Sequence, residues 1–117
     1  MGLLDFFKKK KSFEKKTEQA IIINFQYGKT DLTDLFDLED KLDDFLNIKN
    51  IGELDGHEIA IDGSDGYLYL YGPDAELLYD AIKPILKDTF FMMKAKVYLR
   101  LGHIDDHNAK RIDLILE

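Results

Sequence analysis

Residues 67–71 (YLYLY) give the clearest indication of the fold, because tyrosine and leucine alternate in this stretch without interruption. Successive side chains of a β-strand point to opposite faces of the sheet. The alternation therefore predicts a strand that buries Leu68 and Leu70 and presents three tyrosines on its other face. The preceding segment 62–66 (DGSDG) is a glycine-rich turn of the kind that closes a hairpin, so segment 53–62 is predicted to be the partner strand.

Upstream of this hairpin, the sequence predicts a strand followed by a helix. Residues 20–27 (AIIINFQY) are mostly β-branched or aromatic, which is typical of a central strand. Thr30 or Asp31 is expected to cap a helix that runs to about Asn47. Its apolar residues recur every three or four positions and predict a buried stripe made of Leu32, Leu35, Phe36, Leu38, Leu42, Phe45 and Leu46.

Downstream, a second helix and a second hairpin are expected. Pro73 and Asp74 stand where helices commonly begin, and Pro84 is expected to bend or end this helix. Alternating apolar residues then predict strands over 96–101 and 111–116. The predicted buried stripe of the second helix is Leu77, Leu78, Ala81, Ile82, Ile85 and Leu86.

The element order βαββαβ with one added strand predicts an α+β fold of the ferredoxin-like type. Its antiparallel sheet would have the order 4-1-3-2 with the fifth strand beside the fourth, and both helices would cover one face. The chain has 117 residues, of which 45% are apolar, so residues 19–117 are expected to form a single domain with its own core. Because cysteine is absent, disulfide bonds and thiolate chemistry are excluded. No cofactor is expected.

Charge is distributed unevenly along the chain. Residues 1–16 hold six lysines against Asp5 and Glu14, a net charge of +4, so the remainder, with 10 basic and 21 acidic residues, carries −11. This excess repels nucleic acid and favours a basic partner. Residues 1–18 are expected to form a basic leader, either amphipathic or disordered, in a cytoplasmic protein. Attachment of residues 1–16 to a membrane surface is the less favoured alternative.

The face not covered by helices is the first candidate binding surface. Tyrosines flanked by cations and amides are enriched at protein interfaces. A solvated strand face is the competing interpretation, since tyrosine favours strands in any case. The residues expected to bind a partner here are Tyr67, Tyr69, Tyr71, Asn24, Gln26, Lys96, Tyr98 and Arg100. The fifth strand is expected to add Arg111, Asp113 and Ile115 to the same face.

The acidic side of the first helix is the second candidate surface. Asp34, Asp37, Asp40 and Asp44 recur on the side opposite the apolar stripe and could bind a basic partner through complementary charge. A solvated helix face would have the same composition, so both interpretations remain open.

Catalytic and metal-binding patterns are weak. Residues 28–30 (GKT) lack the glycine five residues earlier that a phosphate-binding loop needs. Residues 66–71 resemble the aromatic strand of RNA-recognition motifs, but Asp65 stands where those motifs carry a basic residue. His103 and His107 lie in a predicted hairpin loop, which favours a polar loop over a metal site. The sequence therefore predicts no catalytic residues and no metal site.

Residues 55–58 (DGHE) and 69–75 (YLYGPDA), within residues 50–90, resemble a pattern in small bacterial proteins, some of which are immunity-type partners of toxins. The resemblance implies a cytoplasmic binding protein and transfers no catalytic residue. We therefore expect a non-enzymatic protein-interaction module, specifically an acidic immunity protein or inhibitor of a basic toxin. The alternative is a homodimeric ligand-binding or regulatory domain that packs through its tyrosine-lined sheet face.

Overall fold

A five-stranded antiparallel sheet carries two helices on one of its faces in the computed structural model, which describes residues 18–117. The predicted leader, apart from Glu18, lies outside the described residues. In chain order the elements are β1 (Gln19–Gln26), α1 (Thr33–Lys49), β2 (Glu53–Ile59), β3 (Asp65–Gly72), α2 (Ala75–Lys87), a 3-10 turn (Phe90–Met92), β4 (Lys96–Leu101) and β5 (Lys110–Ile115). The general α+β prediction, with two helices and an antiparallel sheet of five strands, is confirmed.

The strand order is β2-β3-β1-β4-β5, so the central strand β1 lies between β3 and β4. Ile23 of β1 stands opposite Leu68 of β3 on one side and Val97 of β4 on the other. All three side chains are buried because they point to the helix-covered face. Each strand has the neighbours that the sequence predicted.

The core lies between the sheet and the helices. Leu68 and Leu70 are fully buried there, as the YLYLY alternation predicted. Burial of a leucine of this kind stabilises the fold by about 2 kcal/mol relative to an exposed position. The other fully buried large side chains are Ile21, Ile23 and Phe25 of β1, Leu35, Leu38 and Leu42 of α1, Leu78, Ile82 and Leu86 of α2, and Met92.

Helix α1 begins at Thr33, later than predicted. Its N-cap residue is Leu32, whose side chain cannot accept a hydrogen bond from the first turn of the helix. The hydroxyl of Tyr27, the residue after β1, accepts one instead. Tyr27 Oη accepts a hydrogen bond from the backbone N–H of Leu35 (3.3 Å) and donates one to the carbonyl of Asp31 (2.6 Å). A residue directly after β1 therefore satisfies one of the backbone donors that every helix start leaves unpaired.

The buried stripe of α1 is narrower than predicted. Phe36 is 49% exposed, and its ring lies beside His57 of β2, with 6.0 Å between the ring centroids. The leucines of α1 fill the space against the sheet, so Phe36 lies at the margin of the core. Within residues 18–117, neither helix is long and apolar enough to cross a membrane.

Helix α2 continues past Pro84 and ends at Lys87. Of the two effects predicted for Pro84, a bend or an end of the helix, the end is therefore wrong. Proline has no backbone N–H, so the carbonyl of Asp80, four residues earlier, loses its helical hydrogen-bond donor. Pro84 and Asp80 both lie on the exposed side of the helix. Water can hydrate that carbonyl, which reduces the cost of the proline. Leu77, predicted to be buried, is 50% exposed.

Strand β2 is shorter and less regular than predicted. Its pairing with β3 shifts between Leu54 and Gly56, which is a β-bulge. The strand ends at Ile59, and Ile61 is fully exposed in the turn that follows.

Candidate functional site

The face of the sheet opposite the helices, called the open face below, consists of three rows of cross-strand neighbours. The first row is Glu58, Tyr67, Asn24, Lys96 and Ile115; the second is Gly56, Tyr69, Ile22, Tyr98 and Asp113; the third is Glu53, Tyr71, Ala20, Arg100 and Arg111. Seven of the eight residues predicted for this surface belong to these rows. Gln26, the eighth, lies beyond the first row, opposite Asp65.

Two of the three β3 tyrosines form a stacked pair. The rings of Tyr67 and Tyr69 are 6.2 Å apart and inclined by only 9°. The hydroxyl of Tyr69 donates a hydrogen bond to Glu58 Oε1 at 2.6 Å. Because ionisation would lose this bond and place a negative charge beside the carboxylate, the pKa of Tyr69 is raised. The pair is thereby held in a fixed orientation on the sheet.

A second aromatic element lies across the central strand, on β4 and β5. The guanidinium carbon of Arg111 lies 3.9 Å from the ring centroid of Tyr98, a cation–π geometry. Arg111 Nε also donates a hydrogen bond to Asp113 Oδ1 at 3.0 Å. The strand alternation had placed Arg111 and Asp113 on this face, but nothing in the sequence pattern indicated that Arg111 stacks on Tyr98.

Between the two aromatic elements the open face contains a hollow of about 390 Å³. Its lining includes Asn24, Tyr67, Lys96, Tyr98 and Arg111. The side-chain amide of Asn24 is fixed at the floor, since Nδ2 donates to the carbonyl of Gly66 at 3.0 Å. A hollow with aromatic walls, a fixed amide and cations at its edge can accept a large side chain of a partner or a small ligand.

Three other residues predicted for this face, Arg100, Lys96 and Tyr71, differ in their contacts and in their position relative to the hollow. Arg100 Nε donates to the carbonyl of Gly102 at 2.8 Å, which ties Arg100 to the β4–β5 loop. Lys96 is exposed at the edge of the hollow. Tyr71 is half-buried in the third row, outside the hollow lining. The hollow itself is therefore formed by the first two rows and Arg111.

The acidic side of α1 faces away from the open face, because α1 lies on the other side of the sheet. Asp34 pairs with Lys29 at 2.5 Å, and this hydrogen bond raises the pKa of Lys29. Asp37, Asp40 and Asp44 are exposed. One compact partner could contact this helix or the open face, but not both at once.

The predicted β4–β5 loop contains His103 and His107. The backbone N–H of Asp105 donates to His103 Nδ1 at 3.1 Å, so this nitrogen takes part in the turn itself. In the part of the chain that the structure describes, no group of three or more histidine, cysteine, aspartate or glutamate residues could hold a metal ion.

Comparisons with models of protein families, with curated proteins and with solved structures find no match to this chain. The geometry of the open face and the distribution of charge are therefore the features of the molecule that bear on its function.

Proposed function

We propose that this protein is a non-enzymatic protein-binding module and that its partner binds to the open face. The observation that carries the proposal is the pair of preorganised aromatic elements, Tyr67–Tyr69 and Tyr98–Arg111, on either side of one hollow. Tyrosine and arginine are the residues most enriched at the energetic centres of protein interfaces. Rings that are already fixed lose little conformational entropy when a partner binds.

The proposal includes a ferredoxin-like classification of the fold, with β5 as an addition at the edge. The strand order supports it, since β4-β1-β3-β2 is the arrangement expected for two βαβ units around a hairpin. In folds with this arrangement, the sheet face without helices is the surface left available for a partner.

The partner that this module fits best is a basic protein. The chain outside residues 1–16 carries a net charge of −11, which attracts a basic protein over a distance and speeds association. Asp37, Asp40 and Asp44 on the opposite side of the molecule contribute to this long-range field without touching the partner. An acidic inhibitor or immunity protein that neutralises a basic toxin in the cytoplasm is the specific form of this proposal.

The proposal can be tested with a displayed library of random peptides selected on the full-length protein. Peptides are recovered on the wild type, and their dissociation constants are measured by calorimetry. The variant Tyr67→Ala/Tyr98→Ala removes one ring from each aromatic element, while Asp37→Asn/Asp40→Asn/Asp44→Asn is the matched control on α1. Circular dichroism establishes that both variants are folded.

We expect the selected peptides to be enriched in lysine, arginine and aromatic residues. The open-face variant should weaken their binding at least about tenfold, since each interface aromatic is worth 1 kcal/mol or more. The α1 variant should change the dissociation constant by less than about threefold at physiological ionic strength, because distant charges are screened. Peptides that bind the open-face variant as tightly as the wild type, or no enrichment at all, would refute the proposal.

A further inference from the structure

The two edges of the sheet differ in how they could pair with another strand. β2, at one edge, carries the bulge between Leu54 and Gly56, and such irregularities are a common way to prevent edge-to-edge pairing. β5, at the other edge, pairs with β4 in continuous register over Lys110–Ile115. Within residues 18–117 no strand pairs with the outer side of β5. This regular edge is therefore able to add a further strand.

The charges along β5 are self-complementary. Arg111 and Asp113 point to the open face, with Ile112 between them on the helix-covered face. If two copies of β5 pair antiparallel, residues that stand opposite each other must have their side chains on the same face. Because faces alternate along a strand, the two-fold axis then passes between the two copies of one residue. With the axis at Ile112, Arg111 of each copy stands opposite Asp113 of the other. An axis at Asp113 would place two carboxylates opposite each other, and an axis at Arg111 would place two guanidinium groups opposite each other.

The inner neighbour of Arg111 supports the same pairing. On its β4 side Arg111 stands opposite Arg100, and like charges directly opposite in a sheet are unfavourable. Arg111 Nε donates a hydrogen bond to Asp113 of its own chain, which leaves its two terminal nitrogens able to donate to a second carboxylate. A carboxylate on the outer side of Arg111 would offset the repulsion from Arg100.

From these observations we propose that two copies of this chain associate through their β5 edges, with the two-fold axis at Ile112. The dimer contains a continuous antiparallel sheet of ten strands. Two Arg111–Asp113 pairs form across the edge, and the half-buried Ile112 and Leu114 lose further solvent contact. Because the axis is perpendicular to the sheet, both open faces point to the same side and form one extended surface. This inference goes beyond the proposed function, which concerns what binds to that surface.

The axis position can be tested by single-cysteine crosslinking, because the natural chain has no cysteine. Ile112→Cys places two thiols directly opposite each other, at a separation that a disulfide can span. Leu114→Cys is the matched control, since it replaces another half-buried residue on the same face of β5 but lies opposite Lys110 of the other copy. Mild oxidation should convert Ile112→Cys to a covalent dimer and leave Leu114→Cys monomeric.

Sedimentation equilibrium on the full chain tests the Arg111–Asp113 pairs across the axis. Arg111→Asp and Asp113→Arg each create like-charge pairs and should weaken the dimer about tenfold or more. The double variant Arg111→Asp/Asp113→Arg restores opposite charges across the axis and should recover most of the association. Rescue of this kind separates the pairing from a merely structural effect of either substitution.

Three outcomes would overturn the inference. The wild type could remain monomeric at high concentration, or the two cysteine variants could crosslink equally. The dimer could also survive both single charge reversals and dissociate with Tyr67→Ala/Tyr98→Ala, which would indicate packing of the two open faces against each other. The first two results leave peptide binding by the monomer unaffected, so a failure of the dimer is distinguishable from a failure of the proposed function. The third would also count against the proposed function, because the second copy would then occupy the open face.

Discussion

The hydroxyl of Tyr27 is predicted to determine the stability of the start of α1. Replacement by phenylalanine retains the ring, which packs against Phe91 at 5.0 Å and against Phe25 at 6.3 Å between centroids. It removes two hydrogen bonds, one from the backbone N–H of Leu35 and one to the carbonyl of Asp31. Leu35 is fully buried, so water cannot replace the lost acceptor.

A buried donor left without a partner costs about 1–3 kcal/mol. We therefore expect Tyr27→Phe to lower the free energy of unfolding by about 2 kcal/mol, which corresponds to a decrease in Tm of roughly 10 °C for a domain of this size. The assay is urea denaturation followed by far-UV circular dichroism. Hydrogen exchange of the Leu35 amide, which should become faster, locates the effect at the helix start.

Tyr67→Phe is the matched control, because it removes a hydroxyl from a ring that is 36% exposed. The control should differ from the wild type by less than about 0.5 kcal/mol. If both variants unfold at the same urea concentration, the Tyr27 hydroxyl does not stabilise α1, and the account of how this helix begins is incorrect.

Two further predictions concern the turns and the tyrosine face. Gly63 has φ +77°, and a Cβ there would overlap the carbonyl oxygen of Lys29, whereas Gly28 has φ +86° with open space around it. Thermal denaturation should therefore show that Gly63→Ala lowers the free energy of unfolding by about 3 kcal/mol or more and Gly28→Ala by about 1 kcal/mol. Equal losses for the two variants would contradict this prediction. Glu58→Gln should lower the pKa of Tyr69, so that more phenolate absorbance develops near pH 10 than in the wild type. Because the pKa of Tyr69 is raised in the folded state, its contribution to stability is complete below the pKa of an unfolded tyrosine, about 10, and is lost above it. The wild type should therefore lose stability more steeply than Glu58→Gln above pH 10, and identical profiles would contradict the assignment.

Much of the fold could be predicted because strand periodicity is a strong signal. The alternation in YLYLY assigned Leu68 and Leu70 to the core and the tyrosines to the open face, and the structure agrees. Once the faces of β1, β3 and β4 are assigned, the membership of the three rows follows from the strand order. The residues of the candidate surface could therefore be predicted from the sequence.

The contacts that sequence could not supply are those between distant residues. The capping of α1 by Tyr27 depends on where the end of β1 lies relative to the helix, and a local search finds Thr30 or Asp31 instead. Asp31 does contribute, since its Oδ1 accepts a hydrogen bond at 3.0 Å from the N–H of Thr33, the first residue of α1. The exposure of Phe36 has the same origin, since its spacing fits the apolar stripe but its place over β2 lies at the edge of the core. Periodicity reports which side of an element is apolar, but not how far the neighbouring elements extend.

The central position of β1 has a consequence for how the chain is made. This strand is the first described element to leave the ribosome, yet both of its neighbours, β3 and β4, are synthesised later. Until then the isoleucines at 21–23 have no strand to pair with, and Ile22 lies on the open face, away from α1. Nascent chains that stop before β3 should therefore be the forms of this protein most prone to aggregate and most dependent on chaperones.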